Sequence, residues 1–267
     1  MNKNLILSYI RNPKSTVDLC PFVKSVRQFL DDYDCLVINS SDQNSEDTTN
    51  YLEENSIKVL EREKELPSLY VDRFKAYLDL MNILNYESIL CLDLTDIVIQ
   101  KNPFKFLQIS DDDNVTVTSE CLYIKQSEWN STIIKSAYGE KILDEIKDQD
   151  ILNSGIIAGG RKGLSRLFEK IVKDYENMGP SREITGMDQG ILNKIIHHDA
   201  FRVEYSKSPF AINMHVCLNF KETRNFMKID SGSVIAEDGS QYAIVHQYNR
   251  KKELKESFLD MFSCKST

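Results

Sequence analysis

Apolar positions along the chain follow two alternating rhythms. Leu5-Ile6-Leu7 is a short apolar run leading into Ser8 and Tyr9. Positions 19, 22, 23, 26, 29 and 30 then recur at helical spacing. Cys35-Leu36-Val37-Ile38 reads as a second buried strand, closed by the turn chemistry of Asn39-Ser40-Ser41-Asp42. A short polar helix around 48–55 precedes a third strand near Ile57–Leu60. After Pro67, positions 70, 71, 74, 77, 78, 81 and 84 mark another helix, and Ser88–Leu92 is a fourth strand. Strands alternating with helices predict right-handed crossovers and a mainly parallel sheet.

Beyond residue 100 the pattern loosens. Val115-Thr116-Val117-Thr118 reads as a strand, and 120–150 as an insertion with one helix near 139–147. Ile156-Ile157-Ala158 is a strand, followed by a helix over 162–176 with apolar residues at 164, 167, 168, 171 and 172. A shorter helix runs from about Asp188 to His197. Short strands follow at 201–205, 210–216, 231–235 and 242–246, and the tail from Lys252 to Phe262 reads as helical. No repeat, low-complexity tract or linker interrupts this order, so the expectation is one α/β domain, a parallel half followed by a mixed half.

The 267 residues are enough for an ample core. Lys and Arg number 33 against 41 Asp and Glu, a net charge of −8. That balance argues against a general binder of nucleic acid or anionic membranes, which needs surplus basic surface. It leaves room for a small phosphorylated ligand held by a few local charges. No apolar run approaches the ~20 residues of a membrane-spanning helix, and Met1 to Pro13 reads as a buried first strand rather than a secretory signal. The six cysteines, at 20, 35, 91, 121, 217 and 264, are scattered and form no C-x-x-C pair, so neither zinc nor redox chemistry is signalled. Cys35 and Cys91 sit in apolar runs as small core residues. Together these features point to a reducing, cytoplasmic setting.

In parallel α/β sheets, ligands bind beyond the carboxyl ends of the strands, where strand order reverses. The residues to read closely are therefore Ser8-Tyr9, Asn39, Asp93–Asp96, the Asn153 loop and His246. Residues 88–104 run from a buried apolar strand straight into Asp93 and Asp96. Aspartate is a poor strand residue, and two between apolar runs face a desolvation problem that a hard divalent cation relieves. The plain alternative is that Asp93 caps a turn and Asp96 pairs with a lysine. Asp111-Asp112-Asp113 and Asp31-Asp32-Tyr33-Asp34 follow no buried strand and read as solvated turns.

Val245-His246-Gln247-Tyr248-Asn249-Arg250 puts a histidine at the end of a late apolar strand. Imidazole is a good third ligand beside carboxylates for Mn²⁺-type ions; a hydrogen-bonded structural histidine is the alternative. Arg250-Lys251-Lys252 opens a helix, the end where the macrodipole disfavours cations, which makes an anionic ligand a reasonable motive; the alternative is a solvated basic run. Asn153-Ser154-Gly155 precedes a strand and lets polar groups approach a sugar closely, or is a simple turn. Asp188-Gln189-Gly190 opens a helix. Asp188 there is an N-cap, a hydroxyl partner or a base. Arg73 and Lys75 are able to reach phosphates, with surface pairing as the default. Tyr9 stacks on a base or fills the core.

Taken together, the Leu-Asp-Leu-Thr-Asp strand end, Ile-Gln-Lys-Asn-Pro-Phe, Asn-Ser-Gly, Asp-Gln and His-Gln-Tyr-Asn-Arg resemble the GT-A glycosyltransferases, the nucleotide-diphospho-sugar transferase superfamily, in family-8-like style. The order matches from residue 5 to about 252, and its joint occurrence is the specific part. The resemblance implies a GT-A, Rossmann-like mixed sheet flanked by helices in one domain. A nucleotide-binding half would occupy about 1–100, an acceptor and sugar half 101–250, and a C-terminal helix 251–267. It implies metal-dependent transfer from a UDP-sugar to a hydroxyl of a glycan or other acceptor, with retention. Asp93, Asp96 and His246 would hold Mn²⁺ or Mg²⁺, although two residues separate the acids where the family has one. Tyr9 and Asn39 would contact base and ribose, and Arg73 the diphosphate or the acidic motif. Arg250 and Lys251 would offset leaving-group charge. Asn153, Asp188 and Gln189 would face donor sugar and acceptor, with loops 120–150 and 180–187 setting sugar identity. Localisation would be cytoplasmic, or peripheral to a membrane where glycans are assembled.

Three rivals make different demands. A sugar nucleotidylyltransferase would carry a Gly-rich basic loop after the first strand, where this chain has Ser-Tyr-Ile-Arg-Asn-Pro. A HAD-type phosphatase would want a second acid where Thr95 stands. A degenerate transferase that only binds nucleotide-sugar or glycan would bind without turnover.

Overall fold

The apolar runs become the buried strands of an α/β fold. The computed structural model describes residues 3–10, 15–30, 32–40, 46–107, 109, 112–179, 184–206, 209–214, 228–230 and 232–264. The chain begins β1 (Asn4–Ile10), α1 (Thr16–Phe29), β2 (Asp34–Ser40), α2 (Glu46–Glu54), β3 (Lys58–Arg62), α3 (Leu69–Met81), β4 (Ser88–Leu92) and β5 (Ile97–Ile99). It continues β6 (Val115–Tyr123), α4 (Glu128–Tyr138), α5 (Glu140–Ile146), β7 (Asp150–Gly159), α6 (Arg161–Met178), α7 (Met187–His197) and β8 (Glu204–Tyr205). The last elements are β9 (Ala211–Asn213), β10 (Lys228–Asp230), β11 (Ser233–Ile235), β12 (Ile244–His246) and α8 (Lys252–Met261). The larger sheet has strand order β3-β2-β1-β4-β7-β6-β8 and is mixed and mainly parallel, as the alternation predicts.

The chain divides into two compact units. The first comprises Met1–Glu63, Leu90–Gln108 and Ser206–Thr267. Here β1, β2 and β3 pair in parallel, with Ile10 opposite Asn39 and Asn39 opposite Glu61. Chain order leaves β1 towards β2 on one side, while β4 lies on the other. That reversal opens a crevice at the strands' carboxyl ends. A small second sheet, β5-β12-β9, packs on a buried cluster that includes Val98, Ile212, Val245, Tyr248 and Phe258. Cys20 of α1 and Cys264, beyond α8, form a disulfide in the same cluster. Scattered spacing gave no hint of this pair, since connectivity is not encoded in spacing. Such bonds persist in oxidising compartments, so the cysteines no longer argue for a reducing one. Cys35 and Cys91 are buried core residues as expected, and burial pushes the Cys35 thiol up.

The second unit comprises Lys64–Ile89 and Ile109–Tyr205. Phe74 and Tyr77 of α3 meet Phe168 of α6 at centroid distances of 5.3 and 5.7 Å. β6 and β7 are antiparallel, with register shifts between Val117 and Thr118 and between Ser119 and Tyr123. Cys121 sits in the second irregularity at φ 55. Asp112 and Asp113 lie ahead of α6 and pair with Lys162 and Arg166, as a solvated turn would.

Two expectations are corrected, and one strand was not foreseen. β5 was not separately expected; three residues are too few to show a period. The 120–150 segment holds two helices rather than one, because α4 buries only Asn130, Ile133 and Ile134 and so shows little apolar rhythm. Asn153-Ser154-Gly155 lies inside β7 rather than in a loop before a strand. Ser41, Asp42, Asp31, Asp111, Cys217, the Arg11-Asn12-Pro13 segment, residues 180–183 of the 180–187 loop and the end of the 210–216 segment lie outside the described residues. Among the described residues no helix is long and apolar enough to cross a membrane.

Candidate active site

Strand register builds the first polar cluster. β4 ends at Leu92, Asp93 follows at once, and Asp96 stands immediately before β5. β12 pairs antiparallel with β5, setting His246 opposite Ile97, and parallel with β9, setting it opposite Asn213. The ladder is extended by the Gln247 amide, which donates to the Asp96 carbonyl at 2.7 Å. Gln247 itself is left-handed at φ 58, ending the strand where the His246 side chain is presented. His246 Nε2 lies 3.6 Å from Asp93 Oδ2 and 3.6 Å from Asp96 Oδ1. One ligand atom from each of the three lies within 4.8 Å of the others.

A separation of 3.6 Å is too long for a hydrogen bond. It is close to the ~3 Å expected between neighbouring ligands of an ion with ~2.1 Å bonds. His246 is buried and its Nδ1 meets the Asn213 amide oxygen at 2.7 Å. An amide oxygen only accepts, so Nδ1 carries the proton and Nε2 turns its lone pair towards the two carboxylates. Two carboxylates and one imidazole suit Mn²⁺ or Mg²⁺ chemistry. The residues present therefore fit a divalent cation. Neither aspartate is fully buried, and a cleft lined by Tyr9, Asp93, Leu94, Thr95 and Asp96 opens beside them. Tyr248, beneath the site, is buried against Phe258 with centroids 5.3 Å apart. Burial pushes its phenol well above the ordinary value, with Asp96 and Asp18 adding to the effect, so it stays protonated.

The remaining expected contacts of this unit are mixed. Asn39 is buried at the end of β2, and its amide donates to Glu61 Oε1 at 2.7 Å and to Thr49 Oγ1 at 3.3 Å. Arg250 is exposed in the turn after His246, and Lys251 caps α8 half-buried.

The second cluster belongs to the other unit. Asn193 of α7 grips β7 twice: its Oδ1 accepts from Leu152 N and its Nδ2 donates to Leu152 O, both at 2.9 Å. That staple sets Asp188 and Gln189 against Asn153 and Ser154. Asp188 is the second residue of α7 and not its N-cap, which is Gly186. Its carboxylate accepts from Arg73 Nη2 at 2.5 Å and from Ser154 Oγ at 2.9 Å. Arg73 also donates to the Ser154 carbonyl at 2.9 Å. Arg73 is thus buried against Asp188 rather than paired at the surface, whereas Lys75 makes the expected surface pairs with Asp79 and Glu65.

Gln189 Nε2 donates to Asn130 Oδ1 at 2.9 Å and approaches Glu120 Oε1 at 3.4 Å. Asn153 Nδ2 donates to the same Glu120 oxygen at 2.7 Å, while its Oδ1 accepts from Gly155 N at 2.8 Å. Glu120 thus fixes the amide orientation of two expected site residues. It reaches them because it lies two residues beyond Thr118, the register partner of Asn153, and so on the same face of β6. Glu120, Asn130, Asn193 and Asn213 were not read from the sequence. A signal for Glu120 was present, since it is an acid close behind the strand run Val115-Thr116-Val117-Thr118, as Asp93 is an acid directly behind Ser88–Leu92.

The fold is similar to that of solved glycosyltransferase structures. A crystal structure of the galactosyltransferase LgtC with donor and acceptor sugar analogs matches with a TM-score of 0.61 and 16% identity, covering 99% of this chain and 96% of that one. An active-site glutamine-to-glutamate mutant of LgtC matches at 0.61 and 15%, with the same coverage. The fold is therefore GT-A-like. No protein-family model and no curated protein matches the chain.

Proposed function

We propose that the chain is a metal-dependent glycosyltransferase that moves a sugar from a UDP-sugar to a hydroxyl of a glycan or other acceptor, with retention. The observation that carries this reading is the convergence of Asp93, Asp96 and His246 on one point beside Tyr9, at the carboxyl ends of β1 and β4. LgtC, which shares the fold, was solved with donor and acceptor sugar analogs. Residues 1–100 then hold the nucleotide and 101–250 the sugar and acceptor, with the C-terminal helix α8 beyond them.

Asp93, Asp96 and His246 would hold Mn²⁺ or Mg²⁺, which when bound offsets the charge of the leaving diphosphate as a Lewis acid. Tyr9 and Asn39 contact base and ribose. Arg250 and Lys251 bring positive charge to the leaving group from the turn after His246. Asn153 and Gln189 orient the donor sugar through amides whose direction Glu120 sets. Asp188 Oδ2 already accepts from Arg73 and Ser154, which commits the carboxylate to holding α3 and β7 together. That favours retention, in which a leaving phosphate oxygen takes the acceptor proton, over inversion with Asp188 as base. The test is UDP release from a panel of UDP-sugars with and without EDTA. Release that EDTA stops and Mn²⁺ restores is expected; undiminished release in EDTA contradicts the metal role.

A further inference from the structure

Trp129 is the only tryptophan of the chain, yet it is 49% exposed in the first turn of α4. Single exposed apolar residues are ordinary. Two features set this one apart. First, its indole packs against α7. Gly186, the N-cap of α7, is left-handed at φ 78, and a Cβ there would stand 2.3 Å from Trp129 Cζ2 and 2.4 Å from Cη2. The ring therefore lies directly on the glycine backbone. One turn on, a Cβ at Gly190 would stand 2.6 Å from Ile133 Cγ2, so α4 is seated on α7 through two glycines. Second, the neighbouring side chain joins the polar cluster. Asn130 donates through Nδ2 to Ser127 Oγ at 3.0 Å and accepts from Gln189 at 2.9 Å.

We propose that Trp129 is the platform on which a ring of a neutral carbohydrate acceptor stacks, beside the α7 N-terminus that carries Asp188 and Gln189. The proposal rests on the transferase reading for its ligand class. A pyranose offers an apolar C–H face to an indole and hydroxyls to adjacent amides and carboxylates. A rigid aromatic ring supplies that area with little loss of conformational freedom. Glu128, exposed one residue before Trp129, adds negative charge to this end of α4 and disfavours a phosphate-bearing ligand there.

A lone tryptophan makes the test direct. The emission of the full chain is followed during titration with maltose, cellobiose, lactose and chitobiose, and separately with UDP. A saturable change with at least one disaccharide is expected. A response to UDP alone, or to none of the five, overturns the proposal. With a disaccharide that accepts sugar, Trp129→Ala is expected to raise the acceptor KM by roughly tenfold or more, with a much smaller change in donor KM. Trp129→Phe keeps a ring and should restore most of the affinity. Gly186→Ala keeps the indole but displaces it, and should weaken acceptor binding while thermal melting reports the fold. An unchanged acceptor KM in Trp129→Ala overturns the platform. Failure of the wild type to release UDP from any donor would instead sink the transferase reading, while the emission titration still decides the platform.

Discussion

Asn213 touches no substrate in the proposed reaction, yet it decides which nitrogen of His246 faces Asp93 and Asp96. Removing it as Asn213→Ala leaves a buried N–H without its acceptor and frees the ring. Partners of this kind are worth about 10–100-fold in metal affinity. Calorimetric titration with Mn²⁺ should show that loss in Asn213→Ala, with Asn213→Asp much closer to wild type. Equal affinity in wild type and Asn213→Ala would mean the amide does not orient the imidazole. The residues proposed to hold the cation were legible because each breaks an apolar run: Asp93 and Asp96 after Ser88–Leu92, and His246 after Val245. Asn213 and Glu120 break apolar runs too. Their meaning depends on a partner more than thirty positions away, and a lone polar residue in a strand does not name its partner.

At the scale of elements, the long periodic helices and apolar strands were readable, and the short ones were not. β5, β9 and β12 have three residues each, too few to display an alternation, yet their register brings His246 beside Asp96 and Asn213. The β7 start was hidden because Asn153 is polar and still buried, its amide satisfied by Glu120. The tail helix was legible, but its fastening was not. Cys20–Cys264 joins positions 244 residues apart and ties the chain's last helix to α1. Closing so long a loop restricts the unfolded chain strongly, and loss of a native disulfide typically costs about 2–5 kcal/mol. Urea unfolding with and without dithiothreitol, and of Cys20→Ser/Cys264→Ser, should show a drop of that order. Superimposable curves would show that the bond adds nothing to stability.

For the whole molecule, the alternation of strand and helix foretold a mixed, mainly parallel sheet, and its strand order reverses between β1 and β4. The cleft beside Tyr9 and Asp93–Asp96 lies where that rule places a ligand. The division into two compact units was not legible, since each is assembled from segments far apart in sequence. A chain of net charge −8 has little long-range attraction to offer a diphosphate. The proposed function therefore stands on local charge: a cation held by Asp93, Asp96 and His246, assisted by Arg250 and Lys251. Calorimetric titration of UDP into the protein with and without Mn²⁺, repeated on Asp96→Asn, measures that directly. UDP should bind at least roughly tenfold tighter with Mn²⁺, and the gain should vanish in Asp96→Asn. The same UDP affinity with and without the metal would contradict the account.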